Sequence, residues 1–290
     1  MLDRNRNFWG YFFIAPQLIG LLAFWVFPLF FTFVMSTMKW DGFGAKQFIG
    51  LANFITTFSD PDFQKALLNT VYYTVLTIPL SVVLGLLVAL ALNKVRGKTF
   101  YRLFFFMPVV TSSVSIGVIW MWILNGDFGI LNQLLGYAGI QGPKWLTDTA
   151  WVIPSIAMLS IWWGFGFNMV IFLAGLQGIS PTYYEAAEID GANGFRKFWH
   201  ITLPLLSSTT FLITTVAIIG SFQVFDQAFV MTNGGPAKAS YTLVYHIFDK
   251  AFIEFKMGQS ASAATVLFVI ILGLTLIQFR GSKRWVHYEG

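Results

Sequence analysis

Side-chain catalysis requires a nucleophile, a base or a set of metal ligands within reach of one another, and this sequence offers few places to build one. It has no cysteine, which removes thiol nucleophiles, zinc-thiolate sites and disulfides. Its histidines, His200, His246 and His287, lie far apart and suggest no metal cluster. Serines, histidines and carboxylates never gather at a spacing that would pair a nucleophile with a base. Arg96-Gly97-Lys98-Thr99 has the second half of a phosphate-binding loop, but the first glycine of such a loop is replaced by Leu92. No catalytic residue, no metal and no cofactor bound by this chain is expected.

What remains is polar chemistry inside apolar surroundings. Trp162-Trp163-Gly164-Phe165-Gly166-Phe167-Asn168 sets aromatics beside glycines and an amide, and Ser221-Phe222-Gln223-Val224-Phe225-Asp226-Gln227 adds amides and a carboxylate. A sugar presents apolar ring faces and hydroxyl edges, so aromatic faces next to amide or carboxylate groups suit it. Trp163, Gly164, Phe167, Gln223, Phe225, Asp226 and Gln227 are the candidate lining. Read as one helix, Gln223 and Gln227 share a face with Asp226 beside them, which predicts a polar stripe facing a cavity. The alternative is that these groups bond neighbouring helices. Asp226 is the one ionisable group close to an apolar core, too little for a proton-coupled carrier.

A third pattern runs from Ser180 to Pro204. Ser180 can cap a helix with Pro181 at its first position, Glu185 and Glu188 lie toward the positive end of its dipole, and Gly191 and Gly194 can end it. A short helix, a turn and a second short helix are predicted. The small Ala186, Ala187 and Ala192 would let another surface approach closely, as in a docking knob.

The elements that must hold these groups are set by composition. Of 290 residues, 56% are hydrophobic and 11% charged, against about 25% charged in a soluble domain. Six windows lack Asp, Glu, Lys and Arg and can each cross a bilayer: 7–38, 66–93, 103–126, 149–184, 201–225 and 257–279. The uncharged stretch 128–143 is shorter and broken by Gly129, Gly136, Gly139, Gly142 and Pro143, so a loop or interfacial element is expected there. The fold class is therefore an all-α integral membrane protein of six transmembrane helices, in one domain over 1–290.

Lys and Arg are denser in the N-terminus (Arg4, Arg6), the second loop (Lys94, Arg96, Lys98, Arg102), the fourth (Arg196, Lys197) and the tail (Arg280, Lys283, Arg284) than in the longer opposite loops. By the positive-inside tendency both termini are cytoplasmic, and so is the loop 180–204. The first apolar stretch is too long for a signal-peptide core and reads as a retained span. Trp9, Trp40, Trp145 and Trp151 fall near span ends, where interfacial anchoring accounts for them. Despite a net charge of +5, the cations are scattered between apolar runs and form no nucleic-acid surface.

Glu185-Ala186-Ala187, Gly191 six residues after the glutamate, then Ile201 and Leu203-Pro204 resemble the EAA signature of binding-protein-dependent ABC importer permeases. Further matches cover nearly the whole chain: Ala15-Pro16, Phe48-Ile49-Gly50-Leu51-Ala52-Asn53-Phe54, Asn69-Thr70 and Thr232-Asn233-Gly234-Gly235-Pro236. The set is similar to the sugar and glycerol-phosphate branch. The resemblance implies that 180–204 is a cytoplasmic coupling loop, with Glu185, Ala186, Ala187, Asp190, Gly191, Ala192, Leu203 and Pro204 contacting an ATPase. It implies a homologous second permease in a heterodimer, two ATPase copies that use ATP and Mg, and an extracytoplasmic solute-binding protein, all at a bacterial cytoplasmic membrane. Trp163, Gly164 and Phe167 match positions that line the sugar site in the maltose importer. Phe167 stands where that subunit has tyrosine, so a maltose assignment is not supported. A stand-alone carrier or channel is the rival reading and would show inverted repeats or buried charges, neither of which is visible.

Overall fold

The computed structural model describes residues 2–286, with side chains from Trp9 onward; Arg4, Arg6 and His287, used above, lie outside those described side chains. The chain is almost wholly helical. Four helices are long and apolar enough to span a bilayer: α1 (Trp9–Ser36), α3 (Pro61–Asn93), α7 (Val152–Gly178) and α13 (Met257–Ser282). Two helix pairs are apolar enough only together and are bent, α4 (Lys98–Val110) with α5 (Ser113–Ile123) at 95°, and α9 (Gly194–Leu205) with α10 (Ser207–Phe222) at 62°, the form of a broken span or a re-entrant loop. The six uncharged windows thus fall on four whole helices and two bent pairs. Pro108 and Pro204 each lie just before a break, where a missing N–H and a fixed φ favour a bend.

The shorter elements are α2 (Ala52–Ser59), α6 (Ile130–Tyr137), α8 (Pro181–Ile189), α11 (Asp226–Thr232) and α12 (Leu243–Phe248). The glycine-rich stretch expected to be a loop or interfacial element contains the eight-residue α6. A small hairpin departs from the all-α expectation: β1 (Met38–Lys39) pairs antiparallel with β2 (Gln47–Phe48). The fourth span is shorter than its uncharged window, because Ile179 turns extended and Pro181 opens a new helix.

By internal packing the described chain forms two units, residues 2–63 with 246–268 and residues 64–245 with 269–286. In the first, Asn53 organises the connection after α1: its buried side chain donates to the carbonyls of Ser36 and Met38, both at 2.9 Å. Thr57 and Ser262 share a 2.6 Å hydroxyl contact. These bonds give the segment 48–54 a structural role, tying backbone groups that lack helix partners.

The same unit carries a charged knot outside the apolar spans. Lys250, 7% exposed, reaches Asp60 at 3.2 Å and Glu254 at 2.8 Å, and Lys256 reaches Glu254 at 2.6 Å. Burial alone would raise the Asp60 carboxyl, but the Asp62 amide and Lys250 outweigh it and hold it low. Burial would likewise raise Glu254, and Lys250 and Lys256 hold it low. For Lys250 burial acts downward, yet its two carboxylates keep it above the usual lysine value. Burial and the nearby Lys250 depress His246.

Depressed carboxyls contribute stability above the ordinary carboxylate range and lose it as pH falls through their folded values. A depressed histidine costs stability as pH falls below about 6.5, where the unfolded chain takes up the proton first. The raised lysine loses its contribution only in strong alkali. Hydrogen-exchange protection over 246–263 is therefore expected to hold across neutral pH and fall on acidification. Lys250→Met should lower it at pH 7 by about 1–3 kcal/mol, a buried pair broken but with the carboxylates partly hydrated. Protection unchanged in the variant would show the knot to be incidental.

In the second unit α7 is the buried helix. Met169, Phe172, Leu173 and Leu176 pack with Ala89 and Leu92 of α3 and with Leu206 and Ile213 at the foot of α10. The helices approach through glycines. A Cβ on Gly85 would lie 2.7 Å from that of Asn168, one on Gly175 would lie 2.5 Å from Thr209 Oγ1, and one on Gly166 would strike the Phe105 carbonyl. Close packing through small residues replaces the hydrophobic drive that is missing between helices in lipid. Along α10, Thr210, Thr214 and Thr215 return their hydroxyls to carbonyls three or four residues back, so none is left unpaired in an apolar layer.

The sequence matches at 69–70 and 232–236 belong to one clamp. Asn69 donates to the carbonyls of Lys238 and Tyr241 at 3.0 and 2.9 Å, Thr70 accepts from the Leu243 amide at 3.0 Å, and Tyr245 donates to Asn233 at 2.8 Å.

Candidate functional site

Two sites stand in the second unit, joined by one continuous stretch of chain. The first is the bracket formed by 180–205. Pro181 begins α8 with Ser180 in extended conformation at the N-cap, as the spacing predicts. Its hydroxyl does not cap the helix; it sits 2.9 Å from Thr182 Oγ1 instead, which corrects that expectation. Gly191 ends α8 with φ +73°, while the Gly191 and Ala192 amides return to the Glu188 and Ala187 carbonyls at 3.0 and 2.8 Å. Only glycine takes this left-handed position without strain. Gly194 does not help end α8. It opens α9, whose first turn is capped by Asn193 accepting from the Arg196 amide at 2.9 Å.

The bracket is braced internally. Lys197 donates to Glu188 at 2.5 Å, and Tyr184 OH meets Thr202 Oγ1 at 3.0 Å. The Lys197 hydrogen bond and charge hold the Glu188 carboxyl below its usual range. Glu185 and Ala186 on α8 and Asp190 at its end are exposed, and Ala187 and Ala192 are partly buried. Among the described residues Glu185 makes no hydrogen bond or ion pair. Ile189 at 88% and Phe195 at 71% exposure extend this surface, and sequence reasoning missed both. An apolar residue at that exposure beside the EAA motif was the available signal.

Behind the bracket, Asn93 and Lys94 line a groove of about 640 Å³ with Tyr184, Glu188, Lys197 and Thr202. Residues of two of the Lys/Arg-rich loops therefore meet at this groove.

Leu203 and Pro204 lead from α9 to the bend at Leu206, which is fully buried in the core. From there α10 rises and ends in the wall of the second site, a cavity of about 430 Å³. Trp163, Gly164, Phe167, Gln223, Phe225, Asp226 and Gln227, all the candidate lining residues, border it. They do so without the expected stripe. α10 stops at Phe222 and α11 starts at Asp226, with Phe225 non-helical at φ −140°, so Gln223 and Gln227 share no helical face. Thr242 holds this break by donating to the Val224 carbonyl at 2.8 Å. Irregular backbone at membrane depth is tolerated where it borders a cavity.

Ser113, at the start of α5, donates to Asp226 Oδ2 at 2.7 Å. Missed by sequence reasoning was the far wall, Tyr73, Thr77 and Ser81 on α3 with Ser160 on α7. Their spacing of four along an apolar helix was a legible polar stripe. The Trp163 indole nitrogen is buried with no acceptor. Trp145, expected as an interfacial anchor, is instead buried and donates to Asn132 Oδ1 at 2.6 Å.

Long apolar helices, bent helix pairs and a polar cavity are the construction expected of a membrane transport subunit. Residues 54–284 match the family described as binding-protein-dependent transport system inner membrane component, and the chain belongs to that family. It is 38% identical to the sn-glycerol-3-phosphate transport system permease protein UgpA of Agrobacterium fabrum, over 96% of each chain. It is 37% identical to the probable ABC transporter permease protein YesP of Bacillus subtilis, over 99% of this chain and 94% of that one. The fold is shared with a chain of a bacterial ABC transporter involved in import of the acidic polysaccharide alginate, at TM-score 0.84, 22% identity and 97% coverage of both.

Proposed function

We propose that this chain is one of two homologous permease subunits of a bacterial ABC importer that brings a carbohydrate, an oligosaccharide or a related polyol or glycerol phosphate, into the cytoplasm. Both termini and the bracket 180–205 lie on the cytoplasmic side of the inner membrane, over six spans of which two are broken. An external binding protein delivers solute to the opposite side, and two copies of an ATPase seat the α8 bracket and use ATP and Mg. The relatives named above, a glycerol-phosphate permease and a polysaccharide importer, support this substrate class.

The observation that carries the reading is the continuity from bracket to cavity: α8, braced by Glu188–Lys197 and Tyr184–Thr202, continues through α9 and the buried pivot at Leu206 into α10, whose end forms the cavity wall. Movement of the ATPase surface against Glu185, Ala186 and Asp190 would be delivered along that path as a rigid displacement. The cavity would then open to one side or the other, as alternating access requires.

Purification of the tagged chain tests this reading. A second permease and an ATPase should accompany it, whereas a stand-alone carrier would come out alone. In the intact importer Trp163→Ala should raise the half-saturating sugar concentration for uptake about tenfold, the loss of roughly 1.4 kcal/mol of ring contact and one N–H donor. An unchanged value would remove Trp163 from the path.

A further inference from the structure

The cavity carries an electrostatic sign that the proteins named above would not lead one to expect. Among its described lining residues Asp226 is the only charged one, and no lysine, arginine or histidine borders it. The remaining polar lining consists of hydroxyls and amides, including Tyr73, Ser81, Asn168 and Gln223. Ser113 occupies Asp226 Oδ2 at 2.7 Å, and Oδ1 makes no hydrogen bond among the described residues, which leaves an acceptor for a donor group. The buried Trp163 N–H is a donor lacking an acceptor. A neutral sugar supplies both partners, since each hydroxyl donates and accepts. A phosphate monoester or a uronate has acceptor oxygens for Trp163 but no cation to neutralise it, and it must enter beside a carboxylate in a site of reduced dielectric.

We propose that this cavity takes an uncharged, polyhydroxylated solute of the neutral oligosaccharide class and rejects phosphate esters and uronic acids, with Asp226 as the group that discriminates. This rests on the reading of the cavity as the transport path. It separates the chain from the glycerol-phosphate permease that it resembles at 38% identity and from the importer of an acidic polysaccharide whose fold it shares. Specificity of this kind works through repulsion of the wrong ligand as much as attraction of the right one.

The absence of native cysteine makes the test direct. In the assembled importer, Gln223→Cys places one thiol in the cavity wall. Its modification rates with a cationic and an anionic methanethiosulfonate, each divided by the rate on a free thiol, should differ at least tenfold in favour of the cation. The added Asp226→Asn change should bring the two within about twofold. Raffinose or maltotriose at millimolar concentration should protect the thiol, while sn-glycerol 3-phosphate and trigalacturonate should not. In the Asp226→Asn background the two anions should gain protection. Equal normalised rates in the parent, protection by an anion there, or no protection by either neutral sugar would each overturn the proposal. Failure of the transport reading shows separately, as a Gln223→Cys thiol that labels at one rate in the resting and ATP-bound complexes.

Discussion

Glu185→Lys is expected to reduce ATP-driven uptake by about a hundredfold or more while the importer still assembles in the membrane. Within the chain the substitution should cost almost nothing, because Glu185 is exposed and unbonded among the described residues. Its effect must then arise at whatever α8 touches. A carboxylate presented from a rigid helix to a basic group on the ATPase forms a contact whose loss typically costs 2–5 kcal/mol, and reversal adds repulsion. At 1.4 kcal/mol per tenfold, about 3 kcal/mol gives the hundredfold figure. Glu188 supplies the contrast three residues on: its charge is already engaged by Lys197, so Glu188→Gln should loosen the bracket and lower uptake only a few fold. Gly191→Val should resemble Glu185→Lys in uptake for a different reason, since a branched side chain at φ +73° forces the turn after α8 to move. Uptake by right-side-out vesicles, or by proteoliposomes with ATP enclosed, with the complex quantified after extraction, decides the matter. Normal uptake by an assembled Glu185→Lys importer would remove the bracket from the coupling path.

The membrane class, the apolar windows and the bracket were legible because each depends on local chemistry. Lipid demands long uncharged stretches, and Pro181 and Gly191 set helix ends through their own backbones. What was not legible depends on packing across the chain. The window 103–126 holds enough apolar residues for a straight span, and only Pro108 hinted at the 95° turn before Ser113. Trp163, Phe167, Gln223 and Asp226 do border one cavity, but not through the helical face on which Gln223, Asp226 and Gln227 were grouped. Continuing the helix through Val224 and Phe225 seemed sound because no proline or glycine interrupts it. The break is stabilised from 18 residues away by Thr242, which no local rule could anticipate. Trp145 failed likewise, since its partner Asn132 comes from the glycine-rich stretch read as a loop or interfacial element. Asn53 and Asn69 secure connections between helices, a role visible only once their carbonyl partners are placed.

Gly166→Val should cost the protein its fold, and the reason is the nature of the obstacle. Gly166 lies on α7 in the same aromatic stretch as the cavity residues Trp163 and Phe167, which invites a functional reading of its small size. A Cβ there meets the Phe105 carbonyl and lies 3.3 Å from Phe106 Cα, both main-chain atoms of α4. Side chains can rotate away from an added methyl, at about 1–3 kcal/mol in a packed core. The backbone of α4 cannot yield without shifting the bent pair that it forms with α5, so the cost should reach about 3 kcal/mol or more, a large share of ordinary domain stability. Gly85→Val should behave the same way, because its Cβ meets the Asn168 Cβ at 2.7 Å and the Met169 amide at 3.1 Å where α3 crosses α7. Gly178→Ala is the matched control, at the end of the same helix with nothing within 4 Å of the new carbon. After detergent extraction the Gly166→Val and Gly85→Val chains should yield less than about a tenth of the parent's monodisperse complex, with Gly178→Ala close to the parent. Full recovery of Gly166→Val with lost uptake would instead place that glycine in the transport path and not in the helix crossing.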